Sequence, residues 1–304
     1  MVDIITTGVG WHESRVPTIT TSVPRSAFTF LTCRLKLSDL VSVFLCATNC
    51  INSPDVDERV LERGDANLIS MARPFLADPD IMKKGREGRD YDINSCIAYN
   101  KACIDQTFVG RTASCLVNPR ACHETELIIN EDMIPKYDRL NIGVIGSGPA
   151  SLAFTTTSAR VGHRVNLYDR SENIGGQFNM ARRIPGNEEF NETIHYFLSK
   201  IKKLDMGEKL RVELEADITY GDMEHLSSSS SLTAGGGEGE VSEGVDRWIV
   251  ATGIDPRIHP IPSLDHPNVL SYVDFLILDT DVGDRVSITE AGRIGFDVVE
   301  FLIH

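Results

Sequence analysis

The chain has 304 residues, of which 41% are hydrophobic, and this length leaves room for about two domains with separate cores. The net charge of −14 argues against nucleic acid as a partner, because phosphates require a basic surface. The sequence shows neither a secretion signal nor a run of about 18 apolar residues, so we expect a cytoplasmic protein that does not span a membrane.

Apolar runs typical of β-strands alternate with helical stretches in residues 1–76. Ser53 followed by Pro54 is typical of a helix start, and Gly64 is typical of a helix end. The alternation predicts a β-α-β-α-β order and therefore a parallel sheet. The runs are Ile4 to Thr7, Val23 to Lys36, Leu40 to Cys46, Pro54 to Arg63 and Leu68 to Met71.

Residues 77–138 lack this periodicity and contain four of the seven cysteines, namely Cys96, Cys103, Cys115 and Cys122. A connection of this length usually has a function or is ordered by a bound group. Because no export signal is present, the clustering favours a metal or cluster site over disulfides. The alternative is that these cysteines are small buried apolar side chains.

A dinucleotide fingerprint opens residues 139–265. The strand that begins at Leu140 leads into Gly146-x-Gly148-x-x-Ser151, and Leu152 to Val161 continue as a helix. Gly146 permits the tight turn, and Gly148 lets the backbone approach a pyrophosphate. Asp169 follows the next strand at the spacing of the acid that binds ribose hydroxyls. We prefer a nucleotide site over a plain glycine-rich turn.

Later segments favour FAD over NAD. Ile174-Gly175-Gly176-Gln177 and Ala251-Thr252-Gly253 resemble segments of FAD-binding disulfide-reductase domains. Residues 226–245 are rich in serine and glycine and predict a flexible insertion. Trp248 to Ala251 predict a strand, and Arg285 to Ile288 predict a further strand before a helix at Gly295.

The cysteine segment NSCIAYNKACIDQTFVGRTASCLVNPRACHETE, together with SMARPFLADPDI before it and GGQFNMARRIPG after it, resembles the bacterial-type 2,4-dienoyl-CoA reductases (NADPH). These are iron–sulfur flavoproteins of the old yellow enzyme and trimethylamine dehydrogenase-like family. The resemblance implies an FMN-binding TIM barrel, a 4Fe-4S cluster, an FAD domain and an NADPH domain. It further implies fatty acid metabolism, with electrons passing from NADPH through FAD, cluster and FMN to a dienoyl-CoA.

The resemblance, read along the chain, predicts an α/β fold: an incomplete (β/α)8 barrel followed by a Rossmann-like FAD/NAD(P)-binding domain. Residues 1–76 would be the C-terminal remnant of the barrel, because eight strands and their helices need about 250 residues. Residues 77–138 would be the iron–sulfur segment, 139–265 the FAD domain, and 266–304 the start of a truncated NADPH domain.

The family's cluster motif, C-x2-C-x3-C-x11-C, falls on Cys96, Tyr99, Cys103 and Cys115. The resemblance therefore implies Cys96, Cys103 and Cys115 as metal ligands, with Tyr99 in place of the second ligand. Four thiolates normally hold a cubane cluster, so three predict a weakened or three-iron cluster at best. The resemblance places Cys122 outside the ligand set.

In the barrel segment, the resemblance implies that His12 assists proton delivery and that His12, Glu13, Ser14 and Arg15 contact the acyl-CoA substrate. The family's proton-donating tyrosine belongs to the barrel part that this chain lacks. The implied FMN phosphate contacts are Ala72, Arg73 and Pro74. Cys50 stands where the family has a second phosphate-binding arginine.

The implied cofactor contacts on the FAD side combine the fingerprint with further positions. They are Asn100, Gly146, Gly148, Ala150, Asp169, Gly176, Gln177, Asn187 and Ile218. For NADPH, Glu290 stands where the second fingerprint has a glycine and Arg293 replaces a small residue. A carboxylate opposes the approach of a pyrophosphate, and this argues against NADPH binding here.

Three functional hypotheses remain open. One is a dienoyl-CoA reductase-like oxidoreductase that is impaired as this chain alone and needs a complementary chain. Another is a non-catalytic FAD-binding fragment or interaction module. The third is a related flavin oxidoreductase, such as a trimethylamine dehydrogenase-like protein or an enoate reductase. Homo-oligomerisation is the alternative to a complementary chain, because an incomplete barrel exposes strand edges.

Overall fold

Two parallel β-sheets organise the chain, one of three strands and one of four. The computed structural model describes residues 2–10, 18–38, 41–206, 208–228, 244–257, 260–278, 280–290 and 292–304. The chain divides into two compact units. The first contains Met1–Ile128 and Gly186–Tyr196, and the second contains Ile129–Pro185 and Phe197–His304.

The first unit opens with the β-α-β-α-β order that the sequence predicts. Strands β1, β2 and β3 pair in parallel in the order β1-β2-β3, with Ile4 opposite Phe44 and Cys46 opposite Leu68. Its elements are β1 (Ile4–Thr7), α1 (Phe30–Leu37), β2 (Phe44–Ala47), α2 (Pro54–Glu62) and β3 (Leu68–Ile69).

Helix α2 shows how sequence fixes local structure in this unit. Pro54 occupies the start of the helix, where its missing N–H costs nothing. The residues Val56 and Val60, one turn apart, are buried with Ala47 of β2. Gly64 follows the helix with a φ of +73°, a conformation that glycine adopts without a side-chain clash.

Polar contacts help to order the cysteine segment, together with buried apolar side chains such as Ile81, Ile93 and Ile97. The buried carboxylate of Asp78 accepts hydrogen bonds from Lys84 Nζ at 2.5 Å and from the Asn94 amide at 2.8 Å. The Asn94 side chain donates to the carbonyl of Val117 at 2.7 Å. This segment contains the short helices α3 (Arg73–Ala77), α4 (Ile81–Arg86) and α5 (Ile104–Thr107), and a 3-10 turn at Asp90–Asp92.

The second unit contains the four-stranded parallel sheet, in the order β6-β5-β4-β7. Its strands are β4 (Asn141–Ile145), β5 (Arg164–Tyr168), β6 (Leu210–Glu213) and β7 (Arg247–Val250). Helix α6 (Pro149–Val161) joins β4 to β5, and the buried Leu152 and Ala159 of α6 join Val144 and Leu167 in the core. The predicted nucleotide-binding sheet is therefore present.

The remaining elements follow in chain order. They are a 3-10 turn at Lys136–Asp138 and the helices α7 (Phe178–Ala181), α8 (Phe190–Asp205), α9 (Tyr220–Ser228), α10 (Tyr272–Leu278) and α11 (Arg293–Ile303). Helices α10 and α11 pack together through Phe275 and Phe301, whose ring centroids are 5.3 Å apart. Among the described residues, none of the helices combines the length and apolar character that a bilayer crossing requires.

Several predictions differ from the structure, and one cannot be compared with it. Strand β2 begins at Phe44 rather than Leu40, and β3 ends at Ile69 rather than Met71. Arg285 to Ile288 do not form a strand, because no strand of the described residues pairs with them and they are mostly exposed. Helix α1 begins at Phe30 rather than Val23, since the preceding residues form turns that include Ser26 at a φ of +58°. Most of the predicted flexible insertion, residues 229–243, lies outside the described residues.

Candidate functional site

The glycine turn after β4 packs tightly against the segment that follows β7. Gly146 has a φ of +103°, and a Cβ at this position would collide with the carbonyl oxygen of Ala251 and lie 2.8 Å from its carbon. Ser151, fully buried in α6, donates its hydroxyl to the same carbonyl at 3.2 Å. Serine is therefore accommodated at the third fingerprint position.

Asp169, at the carboxyl end of β5, supports the same turn. Its carboxylate accepts the backbone N–H of Ser147 at 2.5 Å and that of Ser171 at 2.7 Å. Burial raises the pKa of Asp169, but the hydrogen bonds from Ser147 and Ser171 outweigh it, so the pKa is below its ordinary value. A charged acceptor of this kind at the end of the second strand suits ribose hydroxyls.

Gly148 leaves the space that a pyrophosphate needs. It is the N-cap of α6, and a Cβ built on it would meet nothing within 4 Å. Ala150, in the first turn of α6, is exposed, so the N-terminal amides of this 13-residue helix lie at an open surface. The fingerprint residues therefore fit an anionic dinucleotide group.

The predicted Gly176 and Gln177 lie beside this turn. The N–H of Gly175 donates to the Ser147 carbonyl at 2.9 Å, and a Cβ on Gly176 would lie 3.0 Å from the Cα of Gly148. Gln177 donates to the Ile254 carbonyl at 2.9 Å. Since β4 and β7 are neighbours, this cluster lies at the carboxyl ends of the strands where the strand order reverses, the usual ligand position.

Three other predicted FAD contacts lie elsewhere in the chain. Ile218 is half-buried in the connection between β6 and α9, in the second unit. Asn100 and Asn187 belong to the first unit. Asn100 is held there by Arg73 and by donation to the Ile19 carbonyl at 3.0 Å.

A cleft of about 90 Å³ lies at the carboxyl ends of β2 and β3 in the first unit. The predicted phosphate contacts Ala72, Arg73 and Pro74 line it together with the loop after β2. In TIM barrels, the loops after the last strands form a phosphate site at this position. The volume suits a phosphate end of a flavin nucleotide rather than a whole flavin.

Cys50 also lines this cleft. Burial raises its pKa to about 11, so the thiol is neutral at pH 7 and contributes no positive charge. The arginines that line the cleft are Arg73 and Arg25.

Sequence reasoning missed Arg25, Glu189 and Asn52, which form a network beside the cleft. Arg25 binds Glu189 with two hydrogen bonds and Glu192 with one at 3.0 Å. Asn52 donates to Glu189 at 3.0 Å and to the Cys96 carbonyl at 3.1 Å. The side-chain oxygen of Asn52 is buried without a hydrogen-bond partner in the described chain, so a ligand hydroxyl could satisfy it.

The three predicted cluster cysteines lie near one another. Burial raises the pKa values of Cys96 and Cys115, and the electrostatic influence of the neighbouring Cys103 raises both further. Backbone N–H groups of Val117 and Asn118 act in the opposite direction on Cys115. The loop from Cys96 to Cys103 has left-handed residues at Ala98, Asn100 and Ala102, and such conformations concentrate at functional sites.

These cysteines do not complete a four-thiolate site. Tyr99, at the second ligand position, packs its ring 5.7 Å from the Phe190 ring. Within the described ranges, no group of three or more His, Cys, Asp or Glu side chains is placed to hold a metal ion. The residues present therefore do not fit a 4Fe-4S cluster as they stand. The predicted catalytic His12 and substrate contacts Glu13, Ser14 and Arg15 lie outside the described residues.

Comparison with known proteins gives the family. Residues 140–300 match the pyridine nucleotide-disulphide oxidoreductase family. The chain belongs to this family. Residues 2–92 match the NADH:flavin oxidoreductase / NADH oxidase family, which identifies the three-stranded sheet as part of its FMN barrel. The predicted fold, a partial barrel followed by a Rossmann-like domain, is confirmed.

Three similar proteins illustrate the range of this flavoprotein family. A metal reductase of Desulforamulus reducens is 32% identical over 302 residues, which are 99% of this chain and 42% of that protein. A bilirubin reductase of Mediterraneibacter gnavus is 25% identical over 99% of this chain and 43% of its own length. The solved complex of 2-naphthoyl-CoA reductase with 2-naphthoyl-CoA covers 98% of this chain and 42% of its own, with 27% identity and a TM-score of 0.82. The chain thus spans less than half the length of these relatives.

Proposed function

We propose that the chain binds FAD in its second unit and serves a flavin-dependent oxidoreductase that reduces an unsaturated acyl-CoA. The observation that carries the FAD assignment is the glycine turn after β4. Gly146 packs on Ala251, the space beside Gly148 is open, and Asp169 supports the turn from β5. The similarity to a solved 2-naphthoyl-CoA reductase supports a CoA thioester as substrate class.

The chemistry of this proposal divides between the two units. A bound flavin would supply the redox step. Asp169 would bind the ribose and the first turn of α6 the pyrophosphate, while Ala72, Arg73 and Pro74 would hold an FMN phosphate in the other unit. His12 would assist proton delivery to the substrate, as the resemblance to 2,4-dienoyl-CoA reductases implies.

The released flavin tests the proposal. The purified chain is denatured and its flavin is separated and quantified. We expect FAD in excess of FMN, because the glycine turn before α6 is open whereas the FMN cleft has Cys50 where the resemblance implies a phosphate-binding arginine. FMN without FAD would contradict the assignment.

A non-catalytic FAD-binding module, with a complementary chain or a second copy as partner, is the alternative. It is favoured by Tyr99 at the implied second cysteine position and by the side chains of the described residues, none of which form a group placed to hold a metal ion. NADPH-dependent turnover of a 2,4-dienoyl-CoA by the purified chain separates the hypotheses. We expect little or none from this chain alone, and ready turnover would exclude the non-catalytic module.

A further inference from the structure

The second dinucleotide turn, before α11, contains a carboxylate of the chain itself. Glu290 Oε1 accepts the backbone N–H of Gly292, the N-cap of α11, at 2.7 Å. A Cβ built on Gly295, in the first turn of the helix, would lie 2.8 Å from Glu290 Oε2. The two carboxylate oxygens therefore reach from the N-cap to the third residue of α11.

We propose that Glu290 closes this turn, so that its carboxylate takes the place of the pyrophosphate and the turn does not bind a nicotinamide dinucleotide. The N-terminus of a helix attracts one anion through its dipole and its free N–H groups. The Glu290 carboxylate already supplies this anion from the chain itself. An entering pyrophosphate would have to displace a covalently tethered group and would meet a like charge.

The two glycine turns of the second unit provide an internal comparison. Around Gly148, before α6, a Cβ would meet nothing within 4 Å. A Cβ built on Gly292, by contrast, would collide with the carboxylate of Glu290. One unit thus presents an open turn before α6 and, before α11, a turn that the Glu290 side chain closes.

Arg293, the first residue of α11, does not make the start of this helix positively charged overall. Burial raises the pKa of Asp297, and the Arg293 charge lowers it, so Arg293 acts on Asp297 one turn along the helix. Glu290 and Glu300 are the other charged groups that act on Asp297, and both are acidic. The N-terminal part of α11 therefore presents more negative than positive charge.

Binding of NADPH and NADH to the full chain tests the proposal, measured by calorimetry for the wild type, Glu290→Gly and Glu290→Gln. We expect Glu290→Gly to bind at least about thirtyfold more tightly than the wild type, which corresponds to about 2 kcal/mol. Glu290→Gln, which keeps the size of the side chain and removes its charge, should fall between them. Wild-type affinity within threefold of Glu290→Gly would overturn the proposal, and so would a failure of both variants to gain affinity.

Flavin content and melting temperature of the same samples control for folding. The turn before α6 is unchanged in both variants, so their FAD content should equal that of the wild type. If Glu290→Gly alone fails to fold, the comparison of Glu290→Gln with the wild type decides, with a gain in affinity expected. Absence of FAD from all three samples would contradict the proposed function and leave the comparison of nucleotide affinities valid.

Discussion

Arg25 and Glu189, 164 positions apart in the sequence, form a bidentate ion pair with Nε–Oε1 and Nη2–Oε2 distances of 2.5 and 2.8 Å. Their side chains are only 27% and 15% exposed. The hydrogen bond to Glu189 is the largest influence on Arg25 and raises its pKa. Since Asn52 joins Glu189 to the Cys96 carbonyl, this pair connects the phosphate cleft with the cysteine segment inside the first unit.

Replacement of Glu189 with glutamine should destabilise the first unit. The change leaves the sheltered Arg25 charge without its main partner, which costs about 1–3 kcal/mol. Urea denaturation, monitored by far-ultraviolet circular dichroism, measures the loss in the free energy of unfolding. The matched control is Glu213→Gln, which breaks the exposed pair of Arg211 and Glu213 and should cost less than about 0.5 kcal/mol. Equal losses in the two variants would show that the sheltered pair has no special role.

Alanine substitutions of the two fingerprint glycines should affect stability and FAD binding differently. Gly146→Ala places a Cβ against the Ala251 carbonyl at a positive φ, so we expect a loss of at least about 2 kcal/mol in stability together with loss of FAD. Gly148→Ala has room for its Cβ and an ordinary backbone conformation, so the melting temperature should stay near that of the wild type. Its FAD affinity should nevertheless fall at least about tenfold, because the methyl group occupies the pyrophosphate approach. Full FAD content in Gly148→Ala would refute the assignment of this turn.

Asp57 should make stability depend on pH. Burial raises its folded-state pKa to about 6 from an ordinary 3.8, with smaller contributions from Glu58 and Asp55. The native state therefore holds a proton that the unfolded chain has released, and stability falls as pH rises from about 4 to 6. Above that window the buried charge costs about 1–3 kcal/mol.

Asp57→Asn should therefore raise the melting temperature at pH 7.5 and flatten the pH dependence between pH 4 and 6. The control is Glu62→Gln on the same helix, since Glu62 is exposed and its removal should change neither quantity. A pH profile that is the same in Asp57→Asn and in the wild type would contradict the raised pKa of Asp57.

Tyr99→Cys should increase iron and sulfide content. The substitution supplies a fourth thiol at the second ligand position that the resemblance to 2,4-dienoyl-CoA reductases implies, beside the neighbouring Cys96, Cys103 and Cys115. After anaerobic reconstitution, we expect the variant to show the electron paramagnetic resonance signal of a four-iron cluster once it is reduced with dithionite, and the wild type to hold less iron. Cys122→Ser is the control, because Cys122 is exposed and lies outside the implied ligand set. Iron content that does not respond to Tyr99→Cys would argue that the segment is purely structural.

Local patterns predict the strands of this chain well. The bounds of β1 agree with the predicted run Ile4 to Thr7, because this strand is a short apolar run, and β5 ends directly before Asp169 as predicted. The predicted strand from Arg285 to Ile288 is wrong for a related reason. A strand needs a neighbour, and local sequence does not say whether one is present.

The candidate site was predictable only where its residues are close in sequence. Gly146, Gly148 and Asp169 belong to one recognisable sequence motif. Glu290 is noticeable because it replaces a glycine in a second motif of the same kind. The pairing of Arg25 with Glu189 has no local signature, because it depends on the tertiary structure of a long chain. The hydrogen bond of Glu290 to Gly292 likewise depends on a rotamer that the sequence does not specify.

The residues Gly186–Tyr196 belong to the first unit although much of the second unit precedes them in the sequence. This restricts the order in which the protein can fold during synthesis. The ribosome must complete β4, α6 and β5 of the second unit before Glu189 exists to meet Arg25. The first unit therefore cannot finish folding as an independent N-terminal piece. A gene divided between residues 138 and 139 would separate the two charges and leave each half with a charged group that lacks its native partner.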